Sequence, residues 1–233
     1  MNRPVLILLP GMPLDAALWA HQSAHLADVV EVRVGDLTGH DSVAALARAV
    51  LDSGPERFAL AGLSMGGYVA LEIMRQAPER VAKLALLDTG ARPDTPEQTA
   101  NRRQAIELAR QGKYRQVMAS NLPRLLHPDH LGDAALVDSV YAQAERIGVE
   151  AYARQQTAII GRPDSRPGLG AIHCPTLVLC GRQDAITPPE VHAEMAEAIP
   201  GARFVPIEDS GHLAPMEQPQ AVTALLREWL LYA

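Results

Sequence analysis

Six short apolar runs, at residues 5–9, 29–34, 58–61, 84–87, 176–180 and 203–207, recur along the chain, and most are unbroken rather than alternating with polar residues. Runs of this kind suit strands buried on both faces, as in a parallel sheet with helices on each side. Helical periods fill the gaps between them. Val43, Leu46, Ala47, Val50 and Leu51 share one face behind Asp41 and Ser42, which can cap a helix, and Val69, Ile73 and Ala77 form another face before Pro78. After the fifth run, Thr187 is the expected N-cap, Pro188 the first helical residue and Glu190 the return partner of a capping box. Pro206 lacks a ladder donor, so the last run belongs on an edge strand or at a strand end. The repetition of strand and helix predicts an α/β fold: a mostly parallel sheet of about six strands with helices on both faces.

Residues 92–170 break this rhythm, with helical periods at 105–109, 137–144 and 152–160 and no convincing strand. The borders, ARPDTPEQT and GRPDSRPGLG, are rich in Pro, Gly and charge, as linkers are. The expected organisation is a core made of 1–91 and 171–233 with 92–170 as a helical lid insertion over the carboxyl ends of the strands, where open α/β sheets bind ligands.

Several function classes are excluded at this level. Lys plus Arg number 21 against 27 Asp plus Glu, a net charge of −6, so the chain offers no footprint for nucleic acid. No apolar run reaches the roughly 18 residues of a membrane helix. The opening MNRPVLILLPG is too short in apolar residues for a secretory signal and meets a Pro-Gly turn at once, which points to a cytoplasmic protein. Aromatic residues make up 4% of the chain, so the core must be aliphatic. Cys174 and Cys180 lie around a single apolar run and read as two buried thiols, not as a disulfide or zinc framework.

The chemistry is concentrated in Gly62-Leu63-Ser64-Met65-Gly66, a G-x-S-x-G sequence between a strand run and a helical run. To project its hydroxyl above the sheet, Ser64 must take a strained backbone conformation, and side chains two positions away on either side would collide with the flanking strand and helix. Gly62 and Gly66 remove them. A serine hydroxyl is a weak nucleophile at neutral pH, so it needs a base, and the base needs a partner that fixes its tautomer. Asp184 in CGRQDAITPP and His212 in EDSGHLAP both fall just past strand ends, on the edge of a parallel sheet that also carries Ser64. A histidine base predicts activity that declines in acid as the imidazole protonates.

With these residues in the order Ser, Asp, His, the chain resembles the α/β-hydrolase superfamily in its small, lid-bearing form, from about residue 4 to residue 230. The resemblance implies Ser64 as nucleophile, Asp184 as acid and His212 as base. It also implies eight strands; six runs are present, so the two N-terminal antiparallel strands are expected to be missing. An oxyanion hole is implied too, with the Met65 N–H as one donor. The second is expected from Pro10-Gly11-Met12-Pro13, where relatives carry His-Gly; the prolines have no N–H, leaving Met12 first and Gly11 second. Asp36-Leu37-Thr38-Gly39-His40 departs from the glycine-rich turn ending in serine that relatives often carry.

Other candidates stand beside these. Asp88, ending LALLD, is the rival acid, while Asp209 is too near His212 in sequence to orient its ring and reads as a turn residue. His21 and His25 have a spacing that could ligate a metal, without an evident third ligand. His127 and His130 read as a solvated turn, and His40 is a candidate for lining the cleft. Met12, Met65, Met118 and Met216 could line an apolar acyl pocket, although core packing explains Met118 and Met216 equally well. Arg162 and Arg166 could meet an anionic substrate; a solvated, charged linker is the plainer reading.

The function expected is that of a serine hydrolase, carboxylesterase-like, cleaving an ester or related acyl bond of a small molecule with an apolar acyl part, without metal or organic cofactor. The same triad also serves C–C bond hydrolysis, a lyase step or cofactor-free perhydrolysis, and the fold alone does not separate them. A non-catalytic receptor is the alternative from another class.

Overall fold

The computed structural model describes residues 3–233; Met1 and Asn2, where the opening stretch begins, lie outside them. Its strands are β1 (Val5–Leu9), β2 (Glu31–Val34), β3 (Phe58–Leu63), β4 (Val81–Leu87), β5 (Thr176–Gly181) and β6 (Arg203–Ile207). They pair in the order β2-β1-β3-β4-β5-β6, every neighbouring pair parallel, and no antiparallel strand is present among the described residues. The α-helices are α1 (Ala20–Leu26), α2 (Val43–Ser53), α3 (Met65–Gln76), α4 (Pro96–Leu108), α5 (Tyr114–Leu125), α6 (Ala134–Ile160), α7 (Pro189–Ala198), α8 (Ala214–Glu217) and α9 (Pro219–Tyr232). Among the described residues no helix is long and apolar enough to cross a membrane.

Successive strand residues point to opposite faces, and here both faces are covered. Ile7, Leu9, Leu60, Leu86 and Val178 pack with side chains of α2, α3 and α7, whereas Leu6, Leu8, Ala61, Leu87 and Leu179 pack with those of α1 and α9. All six residues of β3 and of β5 are buried, as unbroken apolar runs require. Burying one such leucine stabilises the fold by about 2 kcal/mol. The outer strands differ: Glu31 and Arg33 of β2 alternate outward and pair with each other, a charged edge that discourages pairing with another chain. β2 begins two residues later than the apolar run because the N–H groups of Val29 and Val30 donate to the Leu26 carbonyl at the end of α1.

Two sequence expectations need correction. Thr187 does not cap α7, which starts at Pro189 with Pro188 at the cap position and no side-chain cap. The Thr187 hydroxyl is drawn away because it donates to Asp184 Oδ2 at 2.8 Å. Nor is Arg162 solvated: its side chain is 8% exposed, its Nη1 donates to Asp94 Oδ1 at 2.6 Å, and its guanidinium lies 4.3 Å from the centre of the Tyr68 ring. Asp94 is itself buried and accepts a second guanidinium, that of Arg102, so the burial of one carboxylate draws in both cations. Arg166 does stay at the surface, paired with Asp164.

Between β4 and β5 the chain runs through α4, α5 and α6, with α6 bent at Gly148 (φ 73°). This segment has a small core of its own in Ala109, Val117, Met118, Ala144 and Tyr152, against which Met12 packs. It is tied to the sheet loops by the Asp15 N–H donating to Gln143 Oε1 (3.2 Å) and by Arg154 Nε donating to the Thr38 carbonyl (2.8 Å).

The close approach of α3 to the sheet depends on glycine. A Cβ on Gly66 would stand 2.2 Å from the Leu9 carbonyl oxygen, and one on Gly62 would stand 2.3 Å from that of Gly66; both obstacles are backbone. Gly66→Ala is therefore expected to destabilise the protein by about 3 kcal/mol or more. Thermal melts read this as a midpoint lowered by roughly 6 to 12 °C; an unchanged midpoint contradicts the packing described.

Candidate active site

Register brings the chemistry to one edge. Leu9 pairs with Gly62, Leu63 with Leu87 and Gly181 with Ile207, so the strands end together. Ser64 follows β3, Asp88 follows β4, Asp184 follows β5 and His212 follows β6.

Ser64 occupies φ 53°, ψ −115°, a region that costs a non-glycine residue about 1 to 3 kcal/mol. Its neighbours over-determine that conformation. The Ser64 N–H donates to the Leu87 carbonyl at 3.0 Å, and its own carbonyl accepts the Thr89 hydroxyl at 2.8 Å and the Gly67 N–H at 2.9 Å. The hydroxyl is left to face His212, whose Nε2 is 2.9 Å from Ser64 Oγ. On the far side of the ring, Nδ1 is 2.8 Å from Asp184 Oδ2. A carboxylate only accepts, so Nδ1 carries the proton and Nε2 presents its lone pair to the serine.

Asp184 is held in turn. The N–H groups of Ile186 and Thr187 donate to Oδ1 at 2.8 and 2.9 Å, and the Thr187 hydroxyl donates to Oδ2. Burial alone would push this carboxyl up, but the His212 imidazole and those N–H groups outweigh it and hold Asp184 below its ordinary value. The rival, Asp88, is buried completely and points its oxygens elsewhere: Oδ1 accepts the Gly181 N–H at 2.9 Å and Oδ2 the Ala214 N–H at 3.2 Å. Burial, and then the charge of Asp184, push Asp88 well above the carboxylate range. Geometry therefore pairs Asp184 with the histidine and gives Asp88 to the backbone.

Met65 is the first residue of α3, where an N–H has no partner within the helix and the helix dipole favours negative charge. Gly11, just past β1, packs against the nucleophile: a Cβ there would lie 3.2 Å from Ser64 Cβ. Met65 is fully buried, and Met118 belongs to the core between α5 and α6. Met216 is half-buried, 3.6 Å from Gln143 Nε2.

Of the remaining candidates, His127, His130 and His40 turn out otherwise than the sequence suggested. His127 and His130 are not a solvated turn, since the His127 N–H and His130 Nδ1 both meet the buried Glu217 carboxylate. His40 lines a separate hollow with Arg33, Asp36 and Ser53 that includes none of Ser64, Asp184 and His212. His21 and His25 stack on each other, with His21 Nδ1 2.8 Å from the Thr223 hydroxyl. Asp209 takes a positive φ of 52° in the turn before His212. Cys180 is buried and Cys174 half-buried; burial pushes both thiols up and away from reactivity.

One buried base beneath the site went unnoticed in the sequence, where nothing separates it from a surface histidine. His192 on α7 accepts the Thr89 N–H at its Nε2 (2.8 Å), and burial pushes it down to about 4. A base whose folded value lies below its unfolded one stabilises the fold fully above the unfolded value, near 6.5, and loses that contribution as pH falls toward 4. The loss is on the order of 3 kcal/mol. Urea midpoints measured from pH 7 to pH 4 should fall steeply in the wild type and less in His192→Gln; parallel curves contradict this assignment.

Comparison with known proteins bears on the fold and the family. A profile of the alpha/beta hydrolase family matches residues 6–225. The chain is similar to a thermophilic esterase from Thermogutta terrifontis, 36% identical, with a TM-score of 0.88 over 98% of this chain and 90% of that one. It is 32% identical to the putative non-heme bromoperoxidase BpoC of Mycobacterium tuberculosis, over 76% of this chain and 69% of that one. A pimeloyl-[acyl-carrier protein] methyl ester esterase from Aromatoleum aromaticum is 26% identical, with 98% of each chain covered.

Proposed function

The chain belongs to the alpha/beta hydrolase family, and on that footing we propose that it is a serine hydrolase cleaving carboxylic esters through an acyl-enzyme on Ser64. The observation that carries this reading is the continuous relay from Ser64 Oγ through both nitrogens of His212 to Asp184, at 2.9 and 2.8 Å. The esterases among its relatives support the choice of bond.

In the proposed mechanism Ser64 Oγ attacks the ester carbonyl carbon while His212 Nε2 takes the hydroxyl proton. Asp184, ionised and held in place by three donors besides the ring, stabilises the imidazolium that results. The N–H groups of Met65 and Met12 receive the oxyanion, each contributing about 3 to 4 kcal/mol of transition-state stabilisation. Collapse expels the alkoxide, which leaves as the alcohol with the proton from Nε2. Water then attacks the acyl-enzyme with the same nitrogen as base, releasing the acid and restoring Ser64. We assign residues 92–170 the part of a lid, which supports a small substrate with an apolar acyl part: Met12 packs against the core of that segment and against the sheet core.

A second reading, perhydrolysis, is favoured by the likeness to the protein named a putative non-heme bromoperoxidase. Hydrogen peroxide in place of water would open the same acyl-enzyme, giving a peracid and free Ser64. Steady-state assays with p-nitrophenyl esters of increasing acyl length, with and without peroxide, test both readings. Saturable hydrolysis without peroxide supports the esterase, peracid formation at the expense of free acid supports the second reading, and inertness toward every ester in both conditions overturns both.

A further inference from the structure

From Ser210 through the loop that presents His212 to Ala214, the first residue of α8, each successive N–H has a partner. The Ser210 N–H donates to Gln183 Oε1 (3.1 Å), the His212 N–H to the Leu125 carbonyl (2.8 Å) and the Ala214 N–H to Asp88 Oδ2 (3.2 Å). The two peptide groups on either side of the histidine, those of Gly211 and Leu213, both donate to Glu217 Oε1, at 2.8 and 3.3 Å. The other oxygen of that carboxylate faces a different part of the chain. Glu217 Oε2 accepts the His127 N–H at 2.6 Å and meets His130 Nδ1 at 2.9 Å, just past the end of α5. The Glu217 side chain is wholly buried. A carboxylate taken out of water is retained only where donors replace its hydration, and four converge on this one.

We propose that Glu217 is a positioning residue for the histidine base, fixing the peptide groups that flank His212 and fastening that loop to residues 125–130 of the inserted segment. This rests on the triad reading given under the proposed function. The imidazole must keep two contacts at once, 2.9 Å to Ser64 Oγ and 2.8 Å to Asp184 Oδ2, and the backbone of its loop sets where the ring can stand to make both. Because Leu125, His127 and His130 are on the inserted segment, displacement of that segment and displacement of the base are linked through the Glu217 side chain and through the Leu125 carbonyl that accepts the His212 N–H. Glu217 touches neither nucleophile nor carbonyl, so its effect should fall on turnover and spare substrate binding.

The test uses the full-length protein with Glu217→Gln, which exchanges one accepting oxygen for an NH₂ that opposes the converging donors, and His130→Ala, which removes one donor of the four. For Glu217→Gln, measured well below its melting temperature, kcat for an ester and the rate of fluorophosphonate labelling of Ser64 should each fall about 10- to 100-fold, with KM within about two-fold. The low-field proton resonance of the His212 Nδ1–H should broaden or vanish in the same variant. His130→Ala should show a fall of about two- to five-fold in both rates. Rates and resonance unchanged in folded Glu217→Gln, whatever its melting temperature, overturn the proposal by leaving the carboxylate a purely structural brace. Should that variant fail to fold, unchanged rates in His130→Ala overturn it instead. A wild-type protein that the probe does not label at all would count against the triad reading, not against this inference alone.

Discussion

Ser64→Ala is expected to lower kcat for ester hydrolysis by about 10⁵- to 10⁶-fold while leaving the fold in place. The hydroxyl makes a single hydrogen bond, to His212 Nε2, whereas the backbone of residue 64 is held by Leu87, Thr89 and Gly67 through atoms that alanine keeps. Alanine also inherits the positive φ without additional strain, since serine and alanine both carry a Cβ there. The thermal midpoint should therefore move by no more than about 3 °C. What remains after the substitution measures the oxyanion donors and substrate binding, which act without the nucleophile. Activity retained within ten-fold would mean that another group attacks the ester.

Asp184→Asn should be nearly as damaging, with kcat down by about 10⁴-fold. The reason is directional. An asparagine amide can present its NH₂ to His212 Nδ1, which then becomes the acceptor, moves the ring proton to Nε2 and leaves nothing to receive the proton of Ser64. The same substitution removes the charge that steadies the imidazolium during attack. Asp88→Asn should lower kcat far less, because the oxygens of Asp88 meet the N–H groups of Gly181 and Ala214 and not the ring. If the two variants exchange ranks, the acid has been assigned to the wrong strand end.

What the sequence discloses about this site depends on whether a physical demand leaves a mark on side-chain identity. The sharp turn at Ser64 does, since the collision distances at Gly62 and Gly66 exclude every side chain, and the strain and the pentapeptide are one fact seen twice. The central strands are legible for the same reason: burial on both faces of β3 and β5 demands apolar residues without interruption. Asp184 and Asp88 are harder to separate, because both stand just past strand ends and only the register and the direction of their oxygens distinguish them. Glu217 leaves no mark at all. Three of its four donors are backbone N–H groups, which every non-proline residue possesses, so the demand falls on position and not on the identity of the partners. Arg162 misleads for a related reason: its ion-pair partner Asp94 is 68 residues away, and a cation in a Pro- and Gly-rich stretch looks solvated until the fold brings the two together.

Mass mapping of the protein after brief exposure to a fluorophosphonate shows whether Ser64 is the activated nucleophile, since the reagent bonds to a serine activated by a neighbouring base. One adduct is expected, on the peptide that contains Ser64, absent from Ser64→Ala and formed far more slowly in His212→Ala. An adduct on a different residue, or no adduct from protein that hydrolyses esters, would contradict it.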